Sequence, residues 1–278
     1  TRKEIIFLVS VFIELGVKKV RITGGEPTVR RDFLYIAKSI KSLSSINCLV
    51  FTTNGYKLEK IVSECCFVGF DGVNVSLDSM KRYKFKYITG SNFFDIVFNG
   101  VIKAISFNLK TKINIVLMKP FTLLDLKYYL NFVKITFISI RFIELMETVN
   151  VNYFNMCYLR SLYIRNYLLN NGWYFCDNNN MDGPSLIFKN IKYKGTVGLI
   201  APYLKNFCVN CNRLRISSFG NLHLCLFGNF NYVYPLRMLL KKSNKHKLVN
   251  FIKSVLINKS FSHKLYEKND FFIKNLSN

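Results

Sequence analysis

Up to about residue 145, stretches with helical periodicity alternate with short β-branched runs, and this alternation most limits the folds open to the chain. A helical stretch over 2–15 ends at Gly16 and is followed by a strand, VKKVRIT (17–23). Helices at 32–43, 58–66, 94–107 and 122–134 then interleave with strands CLVFTT (48–53), GVNVSLD (72–78), TKINIVLM (111–118) and ISIRFIE (138–144). Such βα units specify a parallel sheet, and five of them make most of an α/β barrel. Because the series opens on a helix, a strand before residue 1 is expected.

Four strand ends run into polar or glycine-rich segments: GGEPT after the first, then TNG, SLDS and ELME. In parallel α/β folds the loops at the carboxyl ends of the strands build the site, so these segments are expected to converge on one face. From residue 150 the alternation stops. A helix at 157–170, an Asn- and Asp-rich loop (177–183), short apolar runs around 185–201 and helices near 234–241 and 246–258 suggest a smaller second domain, placing the boundaries at 1–149 and 150–278.

With 278 residues, half of them hydrophobic, the chain is long enough to bury a sizeable core. The formal charge of +24 favours anionic partners, yet the lysines are scattered along the chain rather than gathered in a run. Charge alone therefore assigns no function, and nucleic acid is disfavoured as a partner. Lys119 and Arg141 interrupt the longer apolar stretches, which excludes a membrane span by sequence, and the opening at Thr1 reads as a truncation.

Most of the eight cysteines stand singly in apolar segments, as expected in a reducing compartment such as cytoplasm or an organellar matrix. Cys208, Cys211 and Cys225 differ. A CxxC pair and a third cysteine follow metal-ligand spacing, with NRLRIS and NLHLCLF reading as a hairpin that turns at Phe219-Gly220. On spacing alone, zinc with His223 as fourth ligand and a 4Fe-4S cluster with one open iron are equally good readings. His246, His263 and Trp173 read as surface or packing residues.

Gly24-Gly25-Glu26-Pro27 lies directly after a strand, where glycines allow close approach to the backbone and a carboxylate can accept from an ammonium group. By itself the tetrapeptide reads more readily as an ordinary turn. Its surroundings, GVKKVRITGGEPTVRRD (16–32), resemble the second motif region of radical S-adenosylmethionine enzymes, and in detail that of the GTP 3′,8-cyclase family. The resemblance continues through FTTNG (51–55), GVNVSLDSM (72–80), YITGSNFFDIVFNGVIKA (87–104), KINIVLMK (112–119), IRFIELME (140–147) and FCVNCNRLRISSFGNLHLCLFG (207–228), covering nearly the whole chain in order.

The resemblance implies an incomplete parallel (β/α) barrel of the radical S-adenosylmethionine type with a smaller C-terminal iron-sulfur domain. It implies S-adenosylmethionine contacts at Gly25, Glu26, Ser76 and Met146, and GTP contacts at Arg21, Thr52, Lys112, Arg213, Leu214 and Arg215. Cys208, Cys211 and Cys225 would hold a 4Fe-4S cluster, and a second 4Fe-4S cluster is expected on a CxxxCxxC loop in the segment preceding residue 1. The implied reaction removes the hydrogen at C3′ of GTP and joins C3′ to C8 of the guanine, in molybdenum cofactor synthesis; an electron donor is needed, and a homodimer stays open. The chain lacks the family's terminal pair of glycines, ending instead in LSN. The alternatives are another radical S-adenosylmethionine enzyme with an auxiliary cluster, and a non-catalytic relative that holds nucleotide or RNA.

Overall fold

The computed structural model describes residues 1–147, 151–176, 183–204, 207–208, 211–225, 233–241 and 244–259. The Asn- and Asp-rich loop over 177–182 and the terminal LSN lie outside the described residues. Helix α1 (Arg2–Glu14) starts on a capping box, the Thr1 hydroxyl accepting from the Glu4 N–H while the Glu4 carboxylate reaches back. There follow β1 (Lys19–Ile22), α2 (Phe33–Lys41), β2 (Cys48–Thr53), α3 (Leu58–Phe67), β3 (Gly72–Ser76), α4 (Arg82–Thr89), α5 (Phe94–Ser106), β4 (Lys110–Leu117), α6 (Leu123–Ile135) and β5 (Ser139–Glu144). The five expected strands all form, and each pairs in parallel with the next.

The sheet continues past residue 149, where the alternation in the sequence stops. After α7 (Val151–Cys157) and α8 (Leu162–Asn170) come β6 (Tyr174–Cys176), β7 (Leu186–Lys189) and β8 (Thr196–Ile200). Strand β8 pairs in parallel with β5, and β7 and β6 extend the same sheet in antiparallel fashion, giving the order β1-β2-β3-β4-β5-β8-β7-β6. The helix expected over 157–170 is shorter at its start, and a separate helix, α7, precedes it. Tyr158 bridges to Met118, and Ser161, buried, turns its N–H and hydroxyl to Glu144, so the second helix starts only at Leu162. Helix α4 was not expected, because it buries only Phe85 and so shows no apolar stripe.

The two faces of the sheet differ in chemistry. Leu49, Phe51, Val73, Val75, Ile113, Ile115, Leu117, Ile140 and Phe142 alternate along the strands and pack on the helices in one buried core. Phe51 lies between Phe33 of α2 and Phe70, with ring centroids at 5.4 and 4.6 Å. Trp173 joins this core at 3% exposure, against Tyr193. The intervening residues face away from the helices and are largely polar.

A second, smaller sheet is formed by β9 (Arg215–Ile216), β10 (Asn221–His223) and β11 (Val233–Pro235), all antiparallel. Its first hairpin turns at Gly220, in the left-handed region at φ 81° with its N–H donating to Ser217. With α9 (Arg237–Lys241) and α10 (Lys245–Leu256) it builds a separate core of Leu222, Leu224, Leu236, Leu240, Leu248, Val249, Ile252 and Val255. Leu8 and Val11 of α1 complete that core, whereas Ile5, Val9 and Ile13 of the same helix pack on the large one. One helix thereby fixes the small sheet beside β1.

Candidate functional site

The pleat that sends apolar side chains to the helices sends Lys19, Arg21, Thr52, Asn74, Ser76, Lys112, Asn114, Ser139 and Arg141 to the opposite, concave face. Register sets them in rows. Thr52, Asn74, Lys112, Ser139 and Thr196 lie side by side across five strands, and Ser76, Asn114 and Arg141 form the row above, nearer the carboxyl ends. The rows are tied sideways, the Asn74 amide donating to the Thr52 hydroxyl at 3.3 Å and the Thr196 hydroxyl to Ser139 at 3.0 Å.

Positive charge gathers on this face. Arg21 is exposed on this face, yet the protein crowding around it, with the charges of Arg213, Arg141 and Arg215, lowers its pKa to about 10. Desolvation also lowers Arg213, offset by the Cys211 thiol and reinforced by Arg215. Two of these guanidiniums come from strands of the large sheet and two from the segment leading into and opening β9, so the docking of the small sheet through α1 is what assembles the group. Cations held this close repel one another, and a polyanion between them relieves the repulsion. Leu214, expected beside GTP, lies between the two arginines and packs on the small core.

Gly25 borders open space at the carboxyl end of β1: a Cβ built on it or on Gly24 meets no atom within 4 Å, and Gly24 sits at φ 139°. A ligand can therefore approach this backbone. Ser76 is exposed at the end of β3, and Met146 follows β5 half-buried. Glu26 is held in place through both of its carboxylate oxygens. One of its oxygens accepts from the Thr28 N–H (3.1 Å) and hydroxyl (2.6 Å) and from the Thr53 hydroxyl (2.8 Å), and the other accepts from the Asn54 N–H at 2.6 Å. Its carboxylate joins the loop after β1 to the loop after β2.

The Cys211 N–H donates to the Cys208 carbonyl at 3.0 Å, closing the CxxC turn, and Cys225 follows β10. None of the three cysteines is in a disulfide, and all are half-buried. Among the described residues no three His, Cys, Asp or Glu side chains converge as a metal-holding group. The donor set suits a thiolate-bound cluster in kind, but the three thiols are not drawn together in this structure.

Lys19, Asn74, Asn114 and Arg141 belong to the same face and were missed by reading the sequence. The signal was available in β4, where KTKINIVL alternates polar with apolar residues; a strand packed on both faces would be apolar throughout.

Two family models match the chain: Radical SAM superfamily over residues 1–133 and Molybdenum Cofactor Synthesis C over residues 138–265. A GTP 3′,8-cyclase of Haemophilus influenzae is 45% identical over 231 residues, 82% of this chain and 68% of that protein. A GTP 3′,8-cyclase of Vibrio atlanticus is 40% identical over 277 residues, 99% of this chain and 82% of that protein. Among solved structures, Streptococcus suis SuiB bound to S-adenosylmethionine superposes with a TM-score of 0.58 at 16% identity, over 91% of this chain and 60% of that one, which is a likeness of fold.

Proposed function

We propose, given that this chain belongs to the GTP 3′,8-cyclase family of the radical S-adenosylmethionine superfamily, that it serves the conversion of GTP to (8S)-3′,8-cyclo-7,8-dihydroguanosine 5′-triphosphate in molybdenum cofactor synthesis. The observation that carries this reading is that Arg213, Arg141 and Arg215 all act electrostatically on Arg21, which stands on the polar face of the sheet. A triphosphate carries the opposite charge at high density, and guanidiniums meet its oxygens as planar forks. Lys112 adds a point charge in the same row as Thr52, which supplies a hydroxyl.

S-adenosylmethionine together with a 4Fe-4S cluster supplies the radical chemistry in this superfamily. Open backbone at Gly25, the exposed Ser76 hydroxyl and Met146 at the neighbouring strand ends support the reading that they receive S-adenosylmethionine. Glu26, which also fixes the Gly25 turn against β2, completes this set as the carboxylate beside the cofactor's amino group. The closed CxxC turn and the nearness of Cys211 to Arg213 support Cys208, Cys211 and Cys225 as holders of the C-terminal 4Fe-4S cluster. The chain's own work is to hold the triphosphate, to orient the ribose towards the strand ends and to keep water from the reacting atoms.

Calorimetric titration with GTP tests the reading. GTP should bind, inorganic triphosphate should compete, and Arg21→Ala and Arg213→Ala should each weaken binding by roughly tenfold or more. No binding by the parent chain, or unchanged binding by both variants, would remove the basis for a GTP site here. Anaerobic reconstitution with iron and sulfide should load one 4Fe-4S cluster that Cys211→Ala cannot hold; one zinc ion per chain with His223 as a ligand would refute the cluster assignment.

A further inference from the structure

Met146 lies in a short stretch after β5 whose two flanks are each fastened by a different part of the chain. On the near side, Glu144 is buried at 5% exposure on the helix-facing side of β5. One of its oxygens accepts from the Ser161 N–H and hydroxyl, both at 2.7 Å, and the other from the Tyr158 hydroxyl at 3.2 Å. Ser161 precedes α8, so the carboxylate sits where the helix presents its unsatisfied N–H groups and positive end. On the far side, the Glu147 N–H donates to the hydroxyl of Tyr203, which is buried in the segment after β8.

The two anchors are themselves joined. The Tyr158 and Tyr203 rings meet edge to face with centroids 5.5 Å apart, Phe154 of α7 packs on both at 4.8 and 6.0 Å, and Leu145 lies against the same cluster. Burial pushes the Tyr203 hydroxyl up to about 12, so it stays protonated at neutral pH. None of these side chains belongs to the arginine group on the concave face. The large core holds the sheet without them, since this cluster is separate from it. Their common effect is on residues 145–147, which carry no strand pairing of their own and would otherwise be an unsupported loop.

We infer that Glu144, Tyr158 and Tyr203 are positioning residues that clamp the main chain on both sides of Met146 and so preorganise it for the adenosyl part of S-adenosylmethionine. The inference rests on the reading that Met146 borders that cofactor, and it predicts a specific split: affinity for the cofactor falls when the clamp is cut, while affinity for GTP does not. A lost hydrogen bond of this kind corresponds to roughly three- to tenfold in binding.

The test is calorimetry of the full chain with S-adenosylhomocysteine, a stable probe, and in parallel with GTP. Tyr203→Phe keeps the ring cluster and removes only the hydroxyl, and Tyr158→Phe does the same at the other anchor. Each should weaken S-adenosylhomocysteine about three- to tenfold and leave GTP as in the parent. Equal binding of S-adenosylhomocysteine by parent and both variants would overturn the clamp, as would a matched loss for both ligands, which would show a merely structural role. If the parent binds GTP but no S-adenosylhomocysteine, the Met146 reading falls and the clamp with it, an outcome distinct from the first two. Should one variant fail to fold by circular dichroism, the other decides.

Discussion

Gly183 sits at φ 74°, and a Cβ built there runs into the guanidinium of Arg213. A side chain there would push the flexible end of Arg213 aside. Gly90 ends α4 at a similar φ of 70° but has nothing within 4 Å of its Cβ position. Gly183→Ala and Gly90→Ala should each cost about 1 kcal/mol of stability from backbone strain, while only Gly183→Ala should weaken GTP binding. Thermal melts with GTP titrations distinguish them, and equal GTP affinity in the two variants would deny Gly183 any part in placing Arg213. Asp125 offers a second residue-level test. Burial alone would raise its pKa, but the Lys84 ammonium, the Thr122 N–H and hydroxyl, and Lys81 outweigh it and hold the carboxyl at about 2. A depressed folded-state value means stability that is complete above the unfolded pKa of about 4 and is lost as pH falls towards 2. Asp125→Asn should therefore lower the unfolding free energy at neutral pH by on the order of 2 kcal/mol, and flatten the acid limb between about pH 4 and 2. An unchanged limb would place the acid sensitivity elsewhere. At this scale the motif Gly24-Gly25-Glu26-Pro27 was legible in the sequence, but the partners of Glu26 were not, because Asn54 stands 28 residues away and meets it only through the sheet.

Helix α1 divides its apolar residues between two cores, Ile5, Val9 and Ile13 on one side and Leu8 and Val11 on the other. Ion pairing adds a link, Lys245 of α10 meeting Glu14 at 3.0 Å. Truncating Leu8 removes a side chain 93% withdrawn from solvent, being 7% exposed, from the smaller core. Leu8→Ala should cost about 2–5 kcal/mol locally, and hydrogen exchange should show α10 losing protection while β2–β4 keep theirs. Uniform loss across both units would mean that the helix does not couple them in this way. Elements whose burial follows a clear period were readable: the five strands to β5 and helices α1, α2, α3, α5 and α6 fall within two residues of expectation. The elements missed lack that period. Helix α4 buries one residue, and β6 and β7 are short, antiparallel additions whose role is visible only once β8 has paired with β5. The helix expected over 157–170 begins only at Leu162, after the Ser161 N–H turns to Glu144, a tertiary hydrogen bond that local propensity does not encode.

The whole chain carries 40 basic against 16 acidic side chains, yet the cations that matter for binding are the few that the sheet and the C-terminal segment bring together. That distinction was invisible in composition, since scattered lysines and a convergent group give the same net charge. GTP affinity should fall roughly tenfold between about 0.05 and 0.5 M salt as screening shortens the reach of these charges. A salt-independent affinity would show that the phosphates are not what the arginines hold. Among the described residues no helix is long and apolar enough to cross a membrane. The concave face of the sheet is largely polar from Lys19 to Thr196, whereas the helix-facing side carries the buried apolar side chains. A wall finished differently on its two sides divides the tasks of selection. Replacements on the concave side leave no hydrocarbon void behind, so they should alter what is held far more than whether the chain folds. Lineages sharing this scaffold are then free to exchange one ligand for another by redecorating that side, while the helix-facing side changes slowly under the demand for tight fit.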